Sequence, residues 1–324
     1  MTLVSIIIPT YNRYKQLLTC LDTLAQQTYP TDHVEVIVVD DGSTDGTEAI
    51  AEEAFPFTLR YIRQPNQGSA AARNAGAQNA KGTLLIFLDD DMLVEPNYVR
   101  GLVEEHHRHP HIIGMGTLRP YLPPNPSPFT RIYAHLAASN DAGPDGAFVH
   151  FTECVTNNLS VEREDFLEIG MMQDVAGDGP TWWGDVDFGY RATRHGFRFR
   201  RSGKAICYHR DHGIRDLATA SARARKAARM AVALFHKYPE VQAHLPMFHD
   251  KTPIAWGQDP PRLIVRKLAR HVASSRPALW GMEQIVSVLE HCYPSPALLR
   301  PLYRWIIGGY ICQGYREGLR EYGK

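Results

Sequence analysis

Three consecutive aspartates directly after an apolar run are the residues of this chain best placed to do chemistry. Residues 84–88 (LLIFL) are followed without a spacer by Asp89, Asp90 and Asp91. The run predicts a fully buried strand. Because ligands of open α/β sheets bind at the carboxyl ends of strands, the triplet predicts a site for a hard cation with a phosphate-bearing substrate. The alternative is a turn or capping cluster for a helix after Pro96.

Two other segments contain residue types that act in catalysis or metal binding. WWGDVDFGYR places Trp182 and Trp183 beside Asp185 and Asp187 at a predicted helix start, and His209 follows a later predicted strand. A carboxylate can act as a general base, and a histidine at a strand end can bind a metal or a phosphate. The structural alternative is that the tryptophans pack in the core and the acidic residues stabilise the first helical turn.

The turn after the first predicted strand lacks the common phosphate-binding patterns. Neither GxGxxG nor GxxxxGK[ST] is present, and the sequence there is PTYNR, with Pro9, Thr10, Tyr11 and Arg13. This removes the main support for a dinucleotide-dependent dehydrogenase or a P-loop protein. Tyr11 could stack on a base and Arg13 could contact a phosphate. The alternative is a proline-terminated strand followed by two exposed side chains.

Alternating strands and helices position these residues in the first ninety positions. Apolar runs predict strands, and helical spacing or N-cap residues predict the helices between them. The predicted strands are 4–8, 34–39, 58–62 and 84–88, and the predicted helices are 14–27, 43–54 and 69–80. This order predicts an α/β fold with a Rossmann-like, mostly parallel sheet flanked by helices.

The rest of the chain is less regular and then becomes helical. Prolines and glycines between 117 and 150 predict a long loop with a short helix over 129–137. Further predicted elements are a strand over 154–161, a helix over 163–170, a strand or hairpin over 197–208, and helices over 217–238, 262–273, 281–291 and 298–320. The four histidines between positions 106 and 111 straddle a proline and are predicted to be surface residues. A helical C-terminal extension is expected.

Composition excludes several classes of function. Lys plus Arg and Asp plus Glu each number 35, so no overall field favours nucleic acid or an anionic membrane, and only local basic patches could do so. Five widely spaced cysteines without a CxxC pattern argue against a disulfide framework or a zinc site. We expect a cytoplasmic protein without a signal peptide or a membrane span. The basic helix and the amphipathic C-terminal helices predict peripheral contact with the inner face of the cell membrane.

Five segments together resemble family 2 glycosyltransferases of the GT-A fold. They are PTYNR, VVDDGSTDGT, NQGSAAARNAG, LDDD and WWGDVDFGYR, in the family's order, and they cover about the first 210 residues. The resemblance implies an inverting, metal-dependent transferase that takes a sugar from a nucleotide-sugar donor, most commonly a uridine diphosphate sugar. It also implies a GT-A catalytic domain over 1–213, with a nucleotide-binding half (1–91) and an acceptor half (92–213), followed by a helical extension over 214–324.

The family's donor-site roles carry over to matching positions of this sequence. Eight residues would bind the nucleotide, with Asp41 accepting from the base and Asp89 or Asp90 on the ribose side: Pro9, Thr10, Tyr11, Arg13, Asp41, Arg73, Asp89 and Asp90. Asp91 would hold Mn²⁺ or Mg²⁺ against the diphosphate. His209 matches a second metal ligand, with His212 as the alternative.

The resemblance also assigns the acceptor side. The family's base is commonly the Asp of a Glu-Asp pair, and Gly184-Asp185 stands in that place, so Asp185 is the expected base and Asp187 the alternative. Trp182 and Trp183 would stack on the acceptor sugar or close over the donor. The acceptor is expected to be a saccharide or a lipid-linked glycan.

Two other functions compete with transfer. A catalytically weak sugar-nucleotide binding subunit of a glycan-synthesis complex would keep the donor site without a working base. A nucleotidyltransferase would also use a parallel sheet and carboxylate-bound metal, but it usually needs a glycine-rich, basic loop after the first strand, and PTYNR is not one.

Overall fold

The computed structural model describes residues 1–138, 146–175, 182–210 and 214–323. The chain divides into two compact units, residues 1–121 with 137–211 and residues 122–136 with 212–324. The second unit thus includes a segment from the middle of the sequence. The functional division at residue 213 remains a prediction.

The first unit is built on one mixed sheet. Its strands are β1 (Val4–Thr10), β2 (Val34–Asp40), β3 (Thr58–Arg63), β4 (Leu84–Leu88), β5 (Met92–Val94), β6 (Ile112–Arg119), β7 (Phe148–Val149), β8 (Asn158–Glu162) and β9 (Arg198–His209). The strand order is β3-β2-β1-β4-β8-β6-β9-β5, and β7 pairs with β9. The helices of this unit are α1 (Tyr14–Leu24), α2 (Ser69–Asn79), α3 (Tyr98–Arg108), α5 (Arg163–Glu168) and α6 (Gly184–Arg194). Helix α4 (Pro128–Ala138) precedes α5 in the chain but belongs mostly to the second unit.

The half of the sheet formed by β1 to β4 is parallel, as the alternation of strands and helices predicts. β1 pairs in parallel with β2 and β4, and β2 pairs in parallel with β3. Every residue of β1, β2 and β4 is buried, which explains why these strands are mostly apolar. The other half is mixed, because β8 runs antiparallel to both β4 and β6. The predicted α/β fold class is confirmed, with parallel pairing dominant only in the first half.

Two predicted elements, one helix and one strand, differ from the structure. The helix expected over 43–54 is a 3₁₀ helix, Thr47–Glu52, because Asp45 accepts hydrogen bonds from the backbone N–H groups of Tyr14 and Thr47. The strand expected from 154 begins at Asn158, since a 3₁₀ turn occupies Phe151–Glu153.

Among the histidines predicted to lie at the surface, His106 is buried. Its Nε2 lies 2.9 Å from Oγ of Ser160. Desolvation lowers the pKa of His106 to about 4, so the ring is neutral at pH 7. The sequence pattern missed this because the histidine occupies the inner face of α3.

The second unit is helical. It contains most of α4, together with α7 (Leu217–Lys237), α8 (Pro261–Ala273), α9 (Arg276–Cys292) and α10 (Pro296–Tyr322). α7 and α10 approach closely where α10 carries Gly314 and Gly318: a Cβ at Gly314 would clash with the carbonyl oxygen of Arg225. Of the described helices, none combines the length and apolarity needed to cross a membrane.

The long C-terminal helix α10 forms the core of this unit. Its apolar residues Leu299, Tyr303 and Ile306 are fully buried, in one cluster with side chains of α4 and α9. These side chains are therefore not available for the membrane contact that the amphipathic pattern of residues 298–320 suggests.

Candidate functional site

Strand register brings the predicted donor-site segments to one edge of the sheet. Thr10 at the end of β1 pairs with Asp40 at the end of β2, and Ile7 of β1 pairs with Phe87 of β4. The turns after β1, β2 and β4 therefore lie side by side. Thr10 Oγ1 donates a hydrogen bond of 2.8 Å to Asp90 Oδ2, which links the first turn to the aspartate triplet.

The turns after β1 and β2 are joined by reciprocal hydrogen bonds. The backbone N–H of Asn12 donates to Ser43 Oγ at 2.8 Å, and the N–H of Thr44 donates to Asn12 Oδ1 at 2.8 Å. Asn12 has a φ of 54°, in the left-handed region that asparagine tolerates better than most residues. This turn fixes Tyr11, whose ring is about half exposed, and Arg13 beside the triplet.

Asp41 fixes the loop that leads into α2. Its buried carboxylate accepts hydrogen bonds from Gln64 Nε2 at 2.7 Å, Gln67 N at 2.9 Å and Gly68 N at 2.8 Å. A carboxylate has about four lone-pair positions, so room for one more donor remains. Asp41 therefore holds the loop and can still accept from a ligand.

The three aspartates after β4 have different partners. Asp89 pairs with the largely buried Arg73, and Arg13 Nη1 bridges Asp90 Oδ1 at 3.1 Å and Asp91 Oδ2 at 2.9 Å. Desolvation, with the charges of the neighbouring aspartates, outweighs Arg13 and raises the pKa of Asp90 to about 7. The triplet is a site of concentrated negative charge that binding of a cation would relieve.

Asp91 and His209 face each other across a strand pair. Met92 of β5 pairs with His209 of β9, and Asp91 Oδ1 lies 3.2 Å from His209 Nε2. Asp91 Oδ1 is buried and, within the part of the chain that the structure describes, receives no well-oriented hydrogen bond. Burial alone would raise the pKa of Asp91, but His209 and Arg13 lower it. The carboxylate is therefore ionised and carries a lone pair open to a cation.

These two side chains fit a divalent metal that also binds a substrate phosphate. The described residues contain no group of three or more His, Cys, Asp or Glu side chains that could enclose an ion. Mg²⁺ is typically bound by one or two carboxylates together with substrate phosphates and water, so two protein ligands suffice for such a site. His212, the alternative ligand, lies outside the described residues.

The two acidic residues of α6 have different environments. Asp185, in the first turn of α6, is partly exposed, and one of its oxygens accepts from its neighbour Val186 N at 2.8 Å. Desolvation, with a contribution from the charge of Asp89, raises the pKa of Asp185; the Val186 N–H and Arg73 oppose this shift. Asp185 is therefore close enough to the Asp89–Arg73 pair to interact with it electrostatically.

Asp187 is fully buried and forms an ion pair within the same helix. Its Oδ2 accepts from Arg191 Nε at 2.8 Å, and Arg191 also donates to the carbonyl oxygens of Ile169 and Met171. These contacts attach α6 to the end of the α5 segment. The carboxylate of Asp187 has no access to solvent.

The tryptophans mark the start of α6. Trp183 is the N-cap residue with a φ of 69°, and both Trp182 and Trp183 are partly exposed. They precede Asp185 in the chain by three and two positions. Their contact with an acceptor remains a prediction.

A cavity of about 620 Å³ collects the predicted nucleotide-binding residues. All eight line it: Pro9, Thr10, Tyr11, Arg13, Asp41, Arg73, Asp89 and Asp90. Four further lining residues were not predicted individually: Asn66, Gln67, Gly68 and Ser69. Their signal was the glycine-containing loop between β3 and α2, because loops at the carboxyl edge of a sheet contribute to ligand sites.

This edge of the sheet combines groups suited to binding a nucleotide diphosphate. An exposed aromatic ring can stack on a base, and carboxylates can accept from base and ribose. Asp91 and His209 can hold a cation, and Asp185 can take a proton from an incoming hydroxyl group.

Comparison with known proteins supports this interpretation. The family model described as glycosyl transferase family 2 matches residues 5–156. Validoxylamine A glucosyltransferase from Streptomyces hygroscopicus subsp. jinggangensis is 32% identical over 222 residues, or 60% of this chain and 52% of that protein. Glycosyltransferase AglE from Haloferax volcanii is 45% identical over 91 residues, or 27% of this chain and 30% of that protein. The chain spans about half, or less, of the length of these relatives.

Solved structures share the fold over nearly the whole chain. Mannosyltransferase PcManGT from Pyrobaculum calidifontis, in complex with GDP-Man and Mn²⁺, has a TM-score of 0.65 at 21% identity and covers 99% of this chain and 88% of its own. TarS residues 1–349 from S. aureus, in complex with UDP, has a TM-score of 0.53 at 18% identity and covers 100% of this chain and 92% of its own. The predicted GT-A fold with a helical C-terminal region is confirmed.

Proposed function

We propose that this chain, whose residues 5–156 belong to glycosyl transferase family 2, transfers a sugar from a nucleoside-diphosphate sugar to an acceptor hydroxyl group. The observation that carries the proposal is the single cavity lined by all eight predicted donor-site residues, at the sheet edge that also holds Asp91. The two relatives and the mannosyltransferase described above are glycosyltransferases by name, which supports the same class. Neither these similar proteins nor the PTYNR turn favours the alternative functions, a nucleotidyltransferase or a binding subunit.

The donor would lie along the strand ends with its base near Tyr11. Tyr11 would stack on the base, while Asp41 would accept from a base N–H through its remaining lone pair. Asp89, held by Arg73, would accept from a ribose hydroxyl group. The structural neighbours bind GDP-Man or UDP, so a guanosine or uridine diphosphate sugar is the donor class to test first.

The diphosphate would lie against Asp91, His209 and Arg13. Asp91 and His209 would hold Mn²⁺ or Mg²⁺, which when bound neutralises charge that develops on the diphosphate leaving group. Arg13 bridges Asp90 and Asp91 and is close enough to contact a phosphate once a cation shares their negative charge. Binding of a cation and a phosphate would explain the adjacent carboxylates of Asp90 and Asp91 after β4, whereas helix capping would not.

Asp185 is the proposed general base. Its partial exposure and raised pKa suit proton transfer, because a base with a pKa nearer the working pH is more effective. Asp187 is fully buried and paired with Arg191, which supports a structural role for it. Trp182 and Trp183, next to Asp185 in the chain, would hold the acceptor sugar.

Direct attack by the activated hydroxyl group would invert the configuration at the anomeric carbon. The C1–leaving oxygen bond breaks as the bond to the acceptor oxygen forms, and Asp185 takes the acceptor proton. We propose a saccharide or lipid-linked acceptor and a site of action in the cytoplasm at the inner face of the membrane.

The test is an acceptor-dependent assay with uridine and guanosine diphosphate sugars and Mn²⁺. Release of nucleoside diphosphate should rise when acceptor glycans are added, and proton NMR of the product should show inversion. Tight nucleotide binding without release or transfer to any acceptor would instead identify a binding subunit. Retention of anomeric configuration would contradict single displacement.

A further inference from the structure

Helix α8 presents apolar side chains to solvent and charged side chains to the interior of its unit. Val265, Leu268 and Val272 are 66%, 48% and 68% exposed, whereas Lys267 and Arg270 are each 6% exposed. Amphipathic helices of globular proteins show the reverse arrangement. The helix therefore exposes a face that the described part of its unit does not cover.

The exposed apolar residues form one continuous stripe. Positions 265, 268 and 272 are spaced three and four residues apart, which places them on the same side of a helix. Ala269 lies beside this stripe and is also exposed. Scattered single apolar residues on a surface need no explanation, but a full helix face of them does.

The buried cations lock α8 in this orientation. Lys267 Nζ donates to Asp259 Oδ2 at 2.6 Å and to the carbonyl oxygen of Pro253 at 2.9 Å. Arg270 Nη1 donates to the carbonyl oxygen of Trp305 at 3.0 Å. Rotating the helix to bury the apolar stripe would break these bonds and leave buried charges unpaired, which is strongly unfavourable. The outward position of the stripe is therefore built into the unit.

Positive charge surrounds the stripe. Residues 260–282 contain five Lys or Arg residues and no Asp or Glu; two of them, Lys267 and Arg270, are buried, so the other three supply the exposed charge. Arg262 and Arg276 are exposed and, among the described residues, form no ion pair. Arg266 pairs with Asp250, yet its side chain is 67% exposed. The face thus combines an apolar centre with basic flanks.

Exposed tryptophans precede and follow the helix in the chain. Trp256 lies five residues before α8 and Trp280 lies in the first turns of α9, and both are largely exposed. Tryptophan is enriched at membrane–water interfaces because its ring is apolar and its N–H is polar.

We infer that the outward face of α8 binds the surface of an anionic membrane. An apolar stripe with basic flanks is the pattern of a helix that lies in the lipid interface, and its charge complements acidic headgroups. A second copy of the chain would bring the same positive charge to the face and would repel it. This assigns the predicted membrane contact to α8, in place of the buried residues of α10, and it does not depend on the transferase activity.

The test is sedimentation of the full chain with vesicles, without any donor or acceptor. We expect binding to phosphatidylcholine vesicles with 30% phosphatidylglycerol, weakening as salt is raised, and little binding to pure phosphatidylcholine. Val265→Ser/Leu268→Ser/Val272→Ser should lower the partition coefficient about tenfold or more. Arg262→Gln/Arg276→Gln should lower it about 25-fold, since each of the two basic residues contributes about fivefold near an anionic surface.

Ile285→Ser/Val288→Ser is the matched control. Both residues are exposed on α9, in a segment with Glu283 and Glu290, so this variant should bind vesicles like the wild type. Circular dichroism of every variant shows whether it is folded, and nucleotide-induced thermal shifts show whether its donor site is intact. A variant that passes both and still binds vesicles weakly has lost only the membrane-binding face of α8.

Three outcomes would overturn the inference. The wild type could fail to bind anionic vesicles, or the α8 triple variant could bind as well as the wild type. The α8 variant could also convert a dimer to a monomer in light scattering without changing vesicle binding, which would assign the face to a second copy.

Discussion

The two acidic segments of the first unit contrast in how their carboxylates are used. Asp89, Asp90 and Asp91 lie where a parallel strand ends and share Arg73 and Arg13 as partners, so their negative charge is only partly neutralised. In α6, Asp187 is buried against Arg191, whereas Asp185 two positions earlier is partly exposed. The position of a carboxylate relative to the strand ends and the core therefore sets its partners and its exposure.

Of the substitutions in α6, that of Asp185 should cause the largest loss of catalytic rate. Asp185→Asn should lower kcat by ~10²- to 10⁴-fold, because the acceptor proton would lose its base, while nucleotide affinity stays within about twofold. The measurement is steady-state release of nucleoside diphosphate, with titration calorimetry for binding. Full transfer activity in this variant would exclude Asp185 as the base.

The neighbouring substitution should act on stability. Asp187→Asn would leave the guanidinium of Arg191 without its carboxylate in a largely buried site, and we expect a loss of about 3 kcal/mol in the free energy of unfolding. Urea denaturation of this variant, of Arg191→Gln and of the double variant would measure the interaction free energy between the side chains of Asp187 and Arg191. An unchanged unfolding free energy combined with a kcat loss as large as that of Asp185→Asn would transfer the catalytic role to Asp187.

The pH dependence of kcat is an independent test of whether Asp185 is the base, with a smaller expected effect. Because desolvation and the charge of Asp89 raise the pKa of Asp185, kcat should fall with decreasing pH through a midpoint above the ordinary aspartate value of about 3.9. Below that midpoint the carboxylate is protonated and cannot accept the acceptor proton. Residual activity of Asp185→Asn should lack this acid limb; an identical limb in the variant would assign it to another group.

The parallel half of the sheet and its strand-end residues were predictable from the sequence. Continuous apolar runs fix buried parallel strands, and parallel register then aligns their carboxyl ends, so residues as distant in sequence as Thr10 and Asp90 are expected to meet. The alternation predicts that the ends of these strands meet, but the assignment of residues such as Asp41 and Arg73 to one nucleotide site came from the resemblance to family 2 glycosyltransferases.

The rest depended on contacts that local patterns do not encode. The antiparallel insertion of β8 between β4 and β6 follows an irregular segment, and nothing in the pattern of residues 154–161 indicates its direction. The difference between Asp185 and Asp187 depends on the ion pair with Arg191 and on the packing of α6, not on local composition. The outward apolar face of α8 resembles an ordinary core-facing helix in sequence.

The most direct test of the central claim is calorimetric titration of uridine and guanosine diphosphate into the protein, with Mn²⁺ and with a chelator. Mn²⁺ should tighten binding of one nucleotide at least tenfold in the wild type and in the exposed control Asp32→Asn, and Asp91→Asn should remove this gain. If Asp91→Asn keeps the full Mn²⁺ effect, Asp91 does not hold the cation that binds the diphosphate.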